Sequence, residues 1–132
     1  MTTTTIALTA QDKASMRTAA YGAVSLLAAA GAPHKAVAQG TTALTSATGL
    51  TGHVLSAKSR DIRLPGKTVA ELADHVLPAL TAAMALLADQ PSEAANFRDT
   101  ILVAIEAATR SAKAPAPAVT AIAAKIAAAL DV

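Results

Sequence analysis

The sequence predicts an all-α protein, a compact bundle of five or six helices in a single helical domain spanning all 132 residues. Three observations lead there. Alanine, the residue that loses no side-chain entropy in a helix, dominates the chain. One Phe, one Tyr and no Trp, with no β-branched runs, leave little from which to build a sheet. Apolar residues recur at helical spacing between clear cap, proline and glycine signals.

Residues 1–8 are a threonine-rich lead-in without periodicity. Thr9 caps a first helix, with Asp12 at the third position where a carboxylate also suits the helix dipole. This helix runs to about Ala30, with Met16, Ala20, Ala23, Val24 and Leu27 inward. Gly31 stops it, and Pro33 fits the first position of the next helix. The apolar run Ala19–Ala32 is too short and too weakly hydrophobic to span a bilayer. With Lys13, Arg17 and small residues at Ala28, Ala30 and Ala32 it mimics a secretory signal, but Asp12 sits in the would-be basic region.

From 33 to 59 the stripe Val37, Leu44, Thr48, Thr51 and Leu55 is rough, and Gly40, Gly49 and Gly52 lower helix propensity. The segment reads as one helix to about Thr48 and a shorter one to about Lys58, or as a single bent rod. Residues 58–67 form a loop set by Pro65-Gly66.

The best-specified helix is 68–90. Thr68 and Glu71 form a capping-box start, and Val69, Leu72, Val76, Leu80, Met84 and Leu87 lie in one stripe. Being the best specified, this helix is the element the rest is organised around, and Pro78, opposite that stripe, bends it around the core rather than breaking the packing. Ser92 after Pro91 caps the next helix, to about Ala112, with Phe97, Ile101, Ala104, Ile105 and Ala108 inward. Leu102 and Val103 widen its apolar surface and suggest burial on several sides. After Pro115 and Pro117, Val119, Ile122, Ala123, Ile126 and Leu130 face inward from a last helix. An echo between Met16-Arg17 with its following helix and Phe97-Arg98 with its own points to a degenerate duplicated helix pair.

LTAQDKASMRTAAYGAVSLLAAAG, then PSEAANFRDTILVAIEAATRSA and a terminal VTAIAAKIAAAL, resemble small uncharacterised helical proteins of high-GC bacteria. Proteins of that kind are in turn distantly similar to the TerB-like (tellurite-resistance) helical proteins. The resemblance implies a bacterial all-helical protein. Where a TerB-like turn carries an Asp and then a Glu, this chain has Gly31-Ala32-Pro33-His34 and Ser111-Ala112-Lys113-Ala114-Pro115. The metal-binding role that such acidic residues would imply therefore does not transfer.

Candidate chemistry is thin. Glu71 and His75, one turn apart, are the nearest approach to a metal pair, but no third or fourth ligand accompanies them. A capping carboxylate and a solvated imidazole explain them better. Gly66-Lys67-Thr68 has Asp61 where a phosphate loop needs its first glycine. Lys58, Arg60, Arg63 and Lys67 form the one local basic cluster, a candidate anion or nucleic-acid contact without aromatic residues for stacking. No nucleophile elbow appears, and His34, His53 and His75 lack evident partners.

Cysteine is absent, which excludes disulfides and thiolate metal sites and suits a cytoplasmic protein. Charged residues make up 15% of the chain, against about a quarter in typical domains, and the net charge is only +2. Smooth, weakly charged helix faces that must be either wet or covered point to self-association, most simply a two-fold dimer, or to a protein partner. The expectation is a non-enzymatic, cofactor-free homo-oligomer or partner-binding module, away from membranes. Anion or nucleic-acid binding through 58–67 is the alternative.

Overall fold

The computed structural model describes residues 9–56, 68–110 and 117–131. They form six helices and, among the described residues, no strand: α1 (Ala10–Ala30), α2 (His34–Thr45), α3 (Gly49–Ser56), α4 (Val69–Leu86), α5 (Pro91–Arg110) and α6 (Pro117–Leu130). The lead-in 1–8 and the loop 58–67 lie outside the described residues.

The central element is α1, not the 68–90 helix. It packs against all five others, most extensively against α4. Met16, Arg17, Ala19, Ala20, Gly22, Ala23, Val24, Leu26 and Leu27 are all buried. Buried positions take up most of its circumference and leave an outer strip of half-buried Thr18, Tyr21 and Ser25, so the contrast between its faces is weak although it lies at the centre. The run resembling a signal sequence is thus the middle of the core. The box at Thr9 forms in full: the Thr9 hydroxyl accepts from Asp12 N at 3.0 Å, and Thr9 N donates to the Asp12 carboxylate at 3.1 Å. At the other end Gly31, with φ of 120°, donates to Ala28 O while Ala32 N reaches back to Leu27 O at 2.9 Å. These are the two bonds of a Schellman turn.

Residues 33–56 hold two helices rather than one bent rod. Pro33 is the N-cap of α2 rather than its first residue, with extended ψ of 150° and its carbonyl accepting from Val37 N. A break at Ser46–Thr48 ends α2, and α3 follows. Gly40 is not a weak point. A Cβ there would lie 3.1 Å from Ala104 O and 3.4 Å from the Ala108 methyl, so α2 and α5 touch nearly backbone to backbone.

Leu72, Val76, Leu80 and Ala83 of α4 are buried, and Pro78 is on the exposed side, as its sequence position implied. The helix ends at Leu86, earlier than Gln90, in a short turn. By length and composition alone, α4 is the one described helix that qualifies to cross a membrane. Pro91, rather than an N-cap Ser92, opens α5, with Gln90 O accepting from Ala94 N at 2.9 Å. Proline suits a first helical position because the amide it lacks has no partner there. Phe97, Ile101, Ala104, Ile105 and Ala108 are buried as the spacing implies, but Val103 is 57% exposed. It belongs to the outer line of α5, with exposed Asp99 one turn before it and exposed Glu106 three residues after. α6 buries Val119, Ile122, Ile126 and Leu130 against α4 and α1. The Thr81 hydroxyl ties the two outer helices by donating to Ala129 O.

Met16 and Phe97, the leading residues of the sequence echo, are both fully buried. Their arginine neighbours differ: Arg17 is buried, whereas the Arg98 side chain is 41% exposed beside Asp99.

Candidate interaction surface

The polar groups inside the bundle serve the short helix α3. Arg17 donates from Nη1 to Val54 O, and the Tyr21 hydroxyl donates to Leu55 O. Both carbonyls belong to the last turn of α3, where acceptors have no intrahelical partner and a cation suits the dipole. At the other end of α3, Asn96 Nδ2 donates to Thr48 O at 2.9 Å. Three side chains from α1 and α5 thus pin one eight-residue helix that is too short to hold itself.

Burial pushes the Tyr21 phenol above its ordinary value near 10, partly offset by the Arg17 charge beside it. Only the neutral phenol can donate to Leu55 O. A folded-state value above the unfolded one means the stabilisation is full below about pH 10 and is lost as pH rises through the folded value. Denaturation midpoints should therefore fall faster with pH in the wild type than in Tyr21→Phe once pH passes about 10. Tyr21 is the sole tyrosine, so phenolate absorbance reports its titration directly. Parallel midpoint curves for the two proteins would remove the linkage.

Thr51 is fully buried in α3, and its hydroxyl has no hydrogen-bond partner. A buried unpaired hydroxyl costs about 1–3 kcal/mol, so Thr51→Val, which keeps the β-branch, should raise stability by about 1 kcal/mol. A lower midpoint in urea would show that the hydroxyl is satisfied in solution.

The residues that carried candidate chemistry do not converge. Glu71 and His75 are both exposed on α4. Thr68 Oγ1 accepts from Glu71 N and donates to the Glu71 carboxylate, each at 3.1 Å, which is the behaviour of a helix cap. Among the described residues there is no cluster of three or more His, Cys, Asp or Glu that would hold a metal ion. Lys58, Arg60, Arg63 and Lys67 lie outside the described residues.

What the fold does build is a groove between α2 and α5, of ≈ 350 Å³. Ala43, Ser46 and Ala47 form one wall; Asn96, Asp99, Thr100 and Val103 form the other. About one turn away, Gly40 holds α2 close against Ala104 and Ala108 of α5. Val103, the one large exposed hydrophobic among the described residues, stands at the groove's edge. Around it the exposed residues of α2 are Ala38, Gln39, Thr42, Thr45 and Ser46, with Lys35 the only Lys, Arg, Asp or Glu on that helix. A second depression, ≈ 410 Å³, is lined by Thr81, Met84, Ala85 and Ala88 of α4 and Ala94 of α5. Small side chains line both, and Asp99 is the one titratable residue among the lining residues of the two.

Sequence reading missed Arg17, Tyr21 and Asn96 as structural pins and Val103 as a surface residue. For Val103 a signal existed: Asp99 and Glu106 share its helix line. For the three pins none did, because their partners are backbone carbonyls distant in sequence. No family model matches the chain, and neither a curated protein nor a solved structure does.

Proposed function

We propose that this protein is a self-associating helical module, most simply a two-fold homodimer, that works through contact rather than catalysis. The observation that carries this reading is the surface chemistry of its helices. α2 and α6 each hold a single Lys, Arg, Asp or Glu, Lys35 and Lys125, and their exposed positions are otherwise mostly Ala, Thr, Ser or Gln. Depletion of charge is what marks the centre of protein interfaces, and small side chains allow helices of separate chains to approach closely. A homodimer also suits a net charge of only +2, which opposes association weakly.

Sedimentation equilibrium across a range of protein concentrations tests it. The expected result is a reversible monomer–dimer equilibrium with Kd in roughly the micromolar range, the scale of small, weakly charged interfaces. A monomer throughout the high-micromolar range would end the proposal.

A further inference from the structure

We propose that α3 is a latch: the eight-residue helix Gly49–Ser56 undocks by local unfolding as one unit, while the bundle of the other five helices stays folded.

α3 is poorly suited to stand alone. Eight residues are fewer than an isolated helix needs, and Gly49, Thr51, Gly52 and Val54 all lower helix propensity. Among its described side chains, Val54 and Leu55 are the buried apolar anchors. Their burial is little to set against the conformational entropy of ordering eight residues. The difference is made up at the two ends of the helix, by hydrogen bonds from outside it. Arg17 and Tyr21 of α1 hold the carbonyls of Val54 and Leu55, and Asn96 of α5 holds that of Thr48. In the middle, the buried Thr51 hydroxyl has no partner, which favours its release to water.

The rest of the bundle does not depend on α3. This helix packs against α1, α2 and α5 and, among the described residues, touches neither α4 nor α6. The two most extensive pairings, α1 with α4 and α2 with α5, exclude it. Undocking also strands no polar group. Once α3 leaves, the Arg17, Tyr21 and Asn96 donors that faced it meet water in place of its carbonyls. Ala47 and Asn96 line the α2/α5 groove, so the groove keeps its shape only while α3 is docked.

Native-state hydrogen exchange, read residue by residue, tests the latch. The amides of residues 52–56 are expected to be protected about a hundredfold less than those of the buried residues of α1. Urea should accelerate their opening only weakly, because little surface is exposed by it. Ile126→Val, a truncation in the core side of α6 and away from α3, separates local from global opening. It destabilises the docked and undocked forms alike. Protection in α1 should therefore fall about two- to tenfold, and protection at 52–56 should not change. Asn96→Ala acts on the docked form alone and lowers protection in both places by the same factor, about threefold. Protection at 52–56 that falls with Ile126→Val as much as protection in α1 overturns the latch, because α3 then opens only with the whole fold. Unchanged exchange at 52–56 in Asn96→Ala overturns the pinning at the end of the helix. Amides of α2 that respond to both variants as those of α3 do overturn α3 as the unit.

Discussion

Gly52→Ala is expected to destabilise the protein by about 3 kcal/mol, although alanine is the better helix former by about 1 kcal/mol. The reason is the fold-back between α2 and α3. A Cβ on Gly52 would lie 2.1 Å from Ala47 O and 2.6 Å from Ala47 C, far inside any real contact. The obstacle is backbone, so no side-chain rotation relieves it. Ala47 must move, and it cannot move alone. The next residue, Thr48, accepts from Gly52 N and holds Asn96 through the same carbonyl. Shifting that turn releases the start of α3 and one wall of the α2/α5 groove together. Urea unfolding gives the measurement. A loss under about 1 kcal/mol would mean that the turn has slack the geometry does not show.

The parts of this fold that could be read from sequence are those decided within a few residues. Thr9 and Asp12 cap α1 because a hydroxyl and a carboxylate three apart satisfy two amides at once. Gly31 ends the helix because its φ of 120° suits glycine. The stripes of α4, α5 and α6 were legible because each helix presents one buried line to its neighbours. Boundaries slipped by a residue or more where proline can serve two positions, as at Pro33 and Pro91.

What sequence could not show depends on partners far along the chain. The organising helix was misidentified because periodicity detects contrast between faces, and α1, buried around most of its circumference, shows little. Arg17 and Tyr21 sit 37 and 34 residues from the carbonyls they hold. Neither residue carries a mark of that role. The groove is a product of the same kind: Ala43 and Val103 become neighbours only when Gly40 lets α2 settle onto α5. An alanine-rich sequence makes this harder, because its information lies in which alanines are covered, and that is decided by the other helices.

Phe97→Ala should be the costliest single truncation, at about 4 kcal/mol. Phe97 is fully buried, and it is the only phenylalanine in a chain without tryptophan. Removing it loses the transfer free energy of the ring and leaves a cavity whose size depends on how far the neighbours can collapse. The core cluster that holds Phe97 includes Ala19, Ala20, Ala23, Ala104 and Ala108, whose methyl groups have no rotamers with which to reach into a space, beside Leu and Ile side chains that can adjust in part. Phe97→Leu, which keeps most of the volume, should lose about 1–1.5 kcal/mol, so the difference between the variants isolates the cavity. Val103→Glu, by contrast, should leave the unfolding midpoint nearly unchanged, because Val103 is 57% exposed. If both variants lowered stability equally, Val103 would have to be a core residue in solution.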